Sequence, residues 1–197
     1  EYLKILKEAK GASMRKSNKA LVDGKLGHSW LEDWVLARIN GSTGPSMPVG
    51  TPLERPLTQF LEWEGNKIDY WITSESLVCR LDKYYAGQLD AIAMLKTGEL
   101  VIIDFKFASN ISEDYYLQTA GYAACFEPYN IKFQKRMIIR LPKDVEKDEW
   151  DEKKSKYYKV PNNIEVFTIP TSYELDKDTF FHCLSVKKWI NYIKKND

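Results

Sequence analysis

The sequence predicts an α/β domain, a mixed central β-sheet flanked by α-helices, on three observations. Two runs rich in β-branched, aromatic and aliphatic residues, Tyr84 to Leu95 and Glu99 to Phe107, are divided only by "KTG", which is the pattern of a β-hairpin. Amphipathic helical patterns flank this pair, in "GKLGHSWLEDWVLARIN" (24–40) and "SEDYYLQTAGYAACFE" (112–127). Two further strand-like runs, "KRMIIRL" (135–141) and "NIEVFTI" (163–169), lead into a last amphipathic helix, "DKDTFFHCLSVKKWINYIKK" (176–195). The 197 residues suffice for one substantial core, and 44% hydrophobic with 29% charged residues is ordinary globular composition. One domain over 1–197 is expected, with its core at about 24–195.

The hairpin carries the chemistry. A three-residue loop ending in Gly98 fits a type I turn closed by a left-handed residue, so Leu95 faces Glu99. Counting outward, Met94 pairs with Leu100, Ile92 with Ile102 and Asp90 with Asp104. Alternation then puts Lys106 on the face of Asp104 and turns Phe105 and Phe107 away. Such a pairing, met alone, reads as a solvated salt bridge at fraying strand ends. Here "ELVIIDFK" is a near-continuous apolar run of the kind buried on both faces, where a solvated acid is out of place. Two facing carboxylates in such surroundings repel and call for a positive group between them. A hard divalent cation, Mg²⁺ or Mn²⁺, meets that need with carboxylates, waters and phosphate oxygens as ligands. Lys106 adds a fixed charge able to orient a water or stabilise a developing phosphate charge.

Downstream, Ser112 is the expected N-cap, with Glu113 and Asp114 in the favoured acidic first turn. Gln118 and Tyr122, four apart, share a helix face with Tyr115, while Leu117, Ala120, Ala124 and Cys125 form a small apolar surface for the sheet. Upstream, Trp30, Leu31, Trp34, Val35 and Ile39 are the apolar positions of the first helix. His28 stands at its beginning and Glu32 one turn later; spacing alone leaves His28 without a role. Glu75, in "TSESLVCRL" ahead of the hairpin, is a further candidate acid.

The rest of the chain narrows the classes. "GSTGPSMPVGTP" (41–52) is a Gly/Pro/Ser loop without a phosphate-cradling G-K-S/T, so no nucleotide cofactor is expected. "DVEKDEWDEKKSKYYK" (144–159) reads as a charged, solvated loop insertion, and His182 on the last helix as structural. No run is long enough to span a membrane, and the widely spaced Cys79, Cys125 and Cys183 suit a reducing intracellular, cytoplasmic setting rather than a disulfide framework. A net charge of +1 does not announce a nucleic-acid binder, but "KFQKR", "KKSKYYK" and "VKKWINYIKK" are local basic clusters. Beside them Tyr157, Tyr158 and Trp189 offer rings for unpaired bases.

In order, "GHSWLE", "GQLDAIAML", "IIDFK" and "QTAGY" resemble the RecB-like, phage-exonuclease branch of the PD-(D/E)XK nuclease superfamily, from about Gly24 to Tyr129. The resemblance implies a restriction-endonuclease-like core. It implies metal ligands at His28, Asp90, Asp104 and the main-chain carbonyl of Phe105, with Lys106 as catalytic lysine and Gln118 and Tyr122 bracing the site or the substrate. Phe107 stands where the family often has threonine. Some members hold an iron–sulfur cluster on four cysteines; with three, none is expected here.

The function so implied is a Mg²⁺- or Mn²⁺-dependent DNA exonuclease, hydrolysing phosphodiesters in recombination, repair or phage DNA processing in a bacterial or phage-infected cell. DNA is the expected partner, with a homo-oligomer or a single-strand annealing or recombination protein as further ones and no membrane. The alternatives are a catalytically inactive DNA-binding or assembly protein of the same fold, and an interaction domain whose acids are solvent-exposed.

Overall fold

The "KTG" turn forms as its residues dictate. Gly98 takes φ 83°, a conformation open to glycine without steric cost, and its amide donates to Leu95 O at 2.8 Å while Leu95 N donates to Glu99 O at 2.9 Å. In the computed structural model, residues 2–152 and 154–196 are described, with side chains over 21–152 and 154–195. The elements are α1 (Tyr2–Asn40), α2 (Glu54–Lys67), β1 (Ile68–Arg80), β2 (Tyr85–Leu95), β3 (Leu100–Lys106), α3 (Asp114–Ala124), β4 (Lys135–Arg140), β5 (Glu146–Asp151), β6 (Lys156–Pro161), β7 (Glu165–Thr168) and α4 (Tyr173–Asn196).

Five strands form a mixed sheet in the order β1-β2-β3-β4-β7. Neighbours are antiparallel except β3 and β4, which are parallel and are joined by α3, as a parallel pair requires a crossover. The predicted register is present: Met94 pairs with Leu100 and Ile92 with Ile102. Helices cover both faces. Under α1 and α2, the indole of Trp30 and the side chains of Leu31, Val35, Leu57 and Phe60 pack on Ala91, Ala93, Val101, Ile103 and Phe105. On the other face Leu89, Ile92 and Ile102 meet Ala123 and Tyr122 of α3. β3 is therefore buried on both sides, which is why its sequence is apolar throughout.

Two buried polar side chains of this core, Glu64 and Arg140, are fully engaged. The buried Glu64 carboxylate accepts the indole N–H groups of Trp71 at 2.7 Å and Trp34 at 3.1 Å, and pairs with Arg38 at 3.3 Å, so one side chain ties α1, α2 and β1 together. Arg140, 1% exposed, donates to Asn162 Oδ1 and Glu165 and to the carbonyls of Ala108 and Ser109, fixing the segment just after Lys106.

Four expectations change. α1 runs from Tyr2, so His28 lies well inside a helix rather than at its start; no proline precedes Pro45 to stop it. Ile39 is exposed, since Ala37 is the residue that α1 buries in that last stretch. Ser112 is not the N-cap: Glu113 holds that position without a side-chain cap bond, and the Ser112 carbonyl instead accepts Tyr115 N–H at 3.1 Å. The expected loop at 144–159 is a hairpin in which β5 and β6 pair in register, Trp150 opposite Tyr157. Its cross-strand Asp148–Lys159 pair and its Trp150–Tyr157 edge contact at 5.0 Å supply the pairing that abundant charge conceals in the sequence. Arg55 of α2 clamps the base of this hairpin, donating to the carbonyls of Asp144 and Asn162 and to Asn163 Oδ1.

Candidate metal centre

Three carboxylates form one row across neighbouring strands. The β1–β2 ladder pairs Ser74 with Ala91 and Ser76 with Leu89, leaving Glu75 opposite Asp90. The β2–β3 ladder ends at Ala91–Ile103, so Asp104 is next in line with Asp90. Pairing yields to side-chain chemistry at this row. Asp90 Oδ2 accepts the Phe105 amide at 2.6 Å. Glu75 sits at φ 45°, a left-handed conformation that costs a non-glycine residue about 1–2 kcal/mol. Alternation slips at the same level: Leu89 and Ile92 share one face of the sheet, Ala91 and Ala93 the other.

α1 brings the imidazole. One ligand atom each from His28, Glu75 and Asp90 lie within 4.8 Å of one another, and His28 Nδ1 is 3.9 Å from Asp90 Oδ2. Phe107 seats this part of α1: its ring lies edge-on to His28 with centroids 5.4 Å apart and occupies the space a side chain at Gly27 would need. An aromatic at 107 thus replaces any helper hydroxyl there with a packing contact. Ser109 is exposed, and its carbonyl is held by Arg140.

Asp104 stands apart from the triad. It is 1% exposed, and Lys106 Nζ lies 2.6 Å from its Oδ2. Among the described residues, neither carboxylate oxygen accepts a well-formed hydrogen bond, so the ion pair alone answers its charge. Lys106 Nζ also stands 4.7 Å from the ring centre of Tyr115, a cation–π contact. Asp90 is similarly shielded, at 12% side-chain exposure. Asp104 and Asp90 therefore do not lie in solvent at fraying strand ends, while Glu75 is half-buried.

The electrostatics follow from the crowding. Burial, then Asp90, pushes Asp104 up to about 6 against the pull of Lys106. Burial, then Asp90, Glu32 and Asp104, pushes Glu75 up to about 7. Burial likewise raises Asp90, with Lys106 and the Phe105 amide opposing. His28 moves the other way, lowered by burial and by Lys106 although Asp104 opposes. A neutral imidazole can ligate a cation, and a cation bound among the crowded carboxylates would take the place of the protons that burial and repulsion favour there.

The remaining candidates converge here. Gln118 Nε2 donates to Tyr122 Oη at 2.7 Å, leaving the phenol proton to point elsewhere. Burial raises the Tyr122 pKa, Gln118 works against it, and Asp104, Asp90 and Glu75 raise it further, so the phenol lies within electrostatic reach of the acids. Gly87 permits this approach, since a Cβ there would stand 2.7 Å from Tyr122 Cε1. The Lys106 carbonyl turns toward β4 to accept Leu141 N–H at 2.8 Å; strand alternation then turns the Phe105 carbonyl toward Asp90. Glu32, with His28 one turn away, lines the same open cleft of about 640 Å³, together with Glu75, Gln88, Asp90 and Lys106. His182 is exposed on α4.

One contributor goes unread in the sequence: Gln88 Nε2 donates to the Glu75 carbonyl at 3.3 Å and holds the left-handed turn, and nothing in "GQLD" announces that. Tyr115, which the helical spacing sets on the face of Gln118 and Tyr122, supports Lys106.

Hard oxygen donors in a row, one neutral imidazole and a buried carboxylate oxygen without a hydrogen-bond donor fit Mg²⁺ or Mn²⁺. Among the described residues, no helix is long and apolar enough to cross a membrane. In comparisons with known proteins, no family model matches the chain and no curated protein matches it.

Proposed function

We infer that this domain is a divalent-cation-dependent deoxyribonuclease with a restriction-endonuclease-like core, acting as an exonuclease on phosphodiester bonds. The observation that carries the inference is the Glu75–Asp90–Asp104 row with Lys106 beside its most buried member. His28, Glu75, Asp90, Asp104 and the Phe105 carbonyl would hold Mg²⁺ or Mn²⁺. Bound there, the cation supplies Lewis acidity, lowering the pKa of a water and drawing charge from a phosphate oxygen.

The chain's own groups do the remainder. Lys106, steadied by Tyr115, is placed to donate to a phosphate oxygen as charge develops on it. Gln118 orients the Tyr122 hydroxyl toward the acids, where it can brace a scissile phosphate. The exonuclease preference rests on the family resemblance. DNA labelled at one end, incubated with purified protein and Mn²⁺, tests the whole: stepwise mononucleotide loss from one end is expected. No cleavage by the wild type, with DNA binding intact, would favour the inactive DNA-binding alternative.

A further inference from the structure

β1 and β2 continue past the acid row as a two-stranded arm, and its tip meets α4. Tyr84, at the tip, is 84% exposed and takes the left-handed conformation, φ 51°. Lys188 of α4 donates to the Lys83 carbonyl and stands 5.6 Å from the centre of the Tyr84 ring, so tip and helix form one surface. Along α4, Lys188, Tyr192 and Lys195 fall on one stripe at i, i+4 and i+7, with Trp189 flanking it, three residues from Tyr192. Trp189 is 63% exposed and Tyr192 70%. From Leu184 to Asn196 the helix has four lysines and no acid, and Asp82 in the tip is taken up by Arg80 at 2.7 Å. Exposed rings gathered in one patch mark a contact surface, and rings interleaved with lysines that, among the described residues, pair with no acid complement a polyanion that carries planar bases. At a second exposed aromatic pair, Trp150 and Tyr157, the neighbouring Lys159 and Lys154 are paired with Asp148 and Asp151.

We propose that the Tyr84–Lys188–Trp189 surface binds single-stranded DNA, receiving the strand that leads to or from the acid row. Unpaired bases stack on Tyr84 and Trp189, and Lys83, Lys188 and Lys195 follow the phosphates. Tyr84, just before β2, and Gln88 on it are four residues apart, at most roughly 13 Å of extended chain, so a few nucleotides connect the two. The proposal rests on the nuclease reading for its geometry but not for its test. Duplex DNA, whose bases are stacked internally, is held there by its phosphates alone.

The test is fluorescence anisotropy of labelled oligo(dT) and of a blunt duplex on the full chain in EDTA, where no cleavage occurs. Tyr84→Ala/Trp189→Ala is expected to weaken oligo(dT) binding by about tenfold to a hundredfold while duplex affinity changes little. Lys188→Gln/Lys195→Gln is expected to flatten the dependence of log affinity on log salt by about 0.7 for each phosphate no longer neutralised. A melting shift with Mn²⁺ that matches wild type shows that both variants are folded with the acid row intact. On the unmodified chain, photocrosslinking of 5-iododeoxyuridine oligomers is expected to map to Tyr84 or Trp189. Unchanged oligo(dT) affinity in the aromatic variant, an equal weakening for single strand and duplex, or crosslinks confined to other elements would overturn the proposal. A wild type that binds oligo(dT) through these residues but cleaves nothing would instead sink the nuclease reading and leave this surface standing.

Discussion

Lys106 Nζ lies 2.6 Å from Asp104 Oδ2, two residues back on the same strand, so the lysine and the carboxylate that the proposed chemistry uses separately are joined. Asp104, 1% exposed, has no other partner among the described residues, whereas Lys106, 16% exposed by side chain, also lies against Tyr115 and along the cleft. Any process that draws on Asp104 must also release Lys106 into the cleft.

Lys106→Ala separates these roles. It leaves a buried acid without its partner, a change that costs about 3–5 kcal/mol in a fully buried pair and less here, because Asp104 takes a proton at about 6. Cleavage should vanish while DNA binding persists. Melting without added metal should fall, and Mn²⁺ should restore most of the loss. Near-normal turnover in this variant would remove Lys106 from the mechanism.

Asp104→Asn tests the carboxylate row by stability alone. Burial and Asp90 outweigh Lys106 at this position, so neutralising it should leave the protein without added metal at least as stable as wild type. A ligand confined to the folded state stabilises it by about 2.7 kcal/mol at a hundredfold excess over Kd, and the variant should lose most of that gain with Mn²⁺. Identical Mn²⁺ titrations of the two melting curves would mean that Asp104 shares no cation.

Glu75 combines an unusual backbone with a charge, and a pair of substitutions divides them. Glu75→Ala and Glu75→Gly both delete the carboxylate and should both abolish cleavage. At φ 45° the glycine variant should be the more stable by about 1 kcal/mol, the reverse of the usual order within a strand. Chemical denaturation of the two variants decides it; an alanine variant of equal or greater stability would argue against a left-handed residue there.

Away from the site, Glu127 gives a pH signature. Partial burial works to raise its pKa, but hydrogen bonds from Arg80, Lys177 and Tyr173 prevail and hold it down to about 2. A depressed folded-state pKa means stability that is fully present above the unfolded value near 4.5 and lost as pH falls through about 2. With 32% of the side chain exposed, screening leaves on the order of 1–2 kcal/mol of effect. Glu127→Gln should be less stable than wild type at pH 7, with the gap closing between about pH 4 and pH 2. A gap that stays constant down to about pH 2 would assign the difference to packing.

What the sequence disclosed and what it hid follow from the range of the interactions. The β2–β3 register can be counted because a three-residue loop ending in Gly98 fixes it locally. Asp104 and Lys106 follow from alternation along β3. Glu75 is recognisable as a candidate acid but cannot be placed, because its partner Asp90 is set by a β1–β2 ladder whose tip lies between them. His28 comes from a resemblance, since only the packing of Phe107 on Gly27 aims that turn of α1 at the sheet. α2 and β1 go unread as elements, although Glu64 and Trp71 within them anchor α1. The β5–β6 hairpin is hidden by its own charges, which are cross-strand partners in space and a polar run in sequence.

Arg55 holds both roots of that hairpin, Asp144 on the way out and Asn162 on the way back. A protruding segment whose ends are pinned together by a third element behaves as a cassette: its length and composition can change at little cost in closure entropy, its tie to β7 being the half-exposed Lys147–Glu165 ion pair. Evolutionary tinkering and protein engineering therefore have an exchangeable module at residues 145–161, removable at its clamp, through which new surface can be grafted without rebuilding the strands that hold the acids.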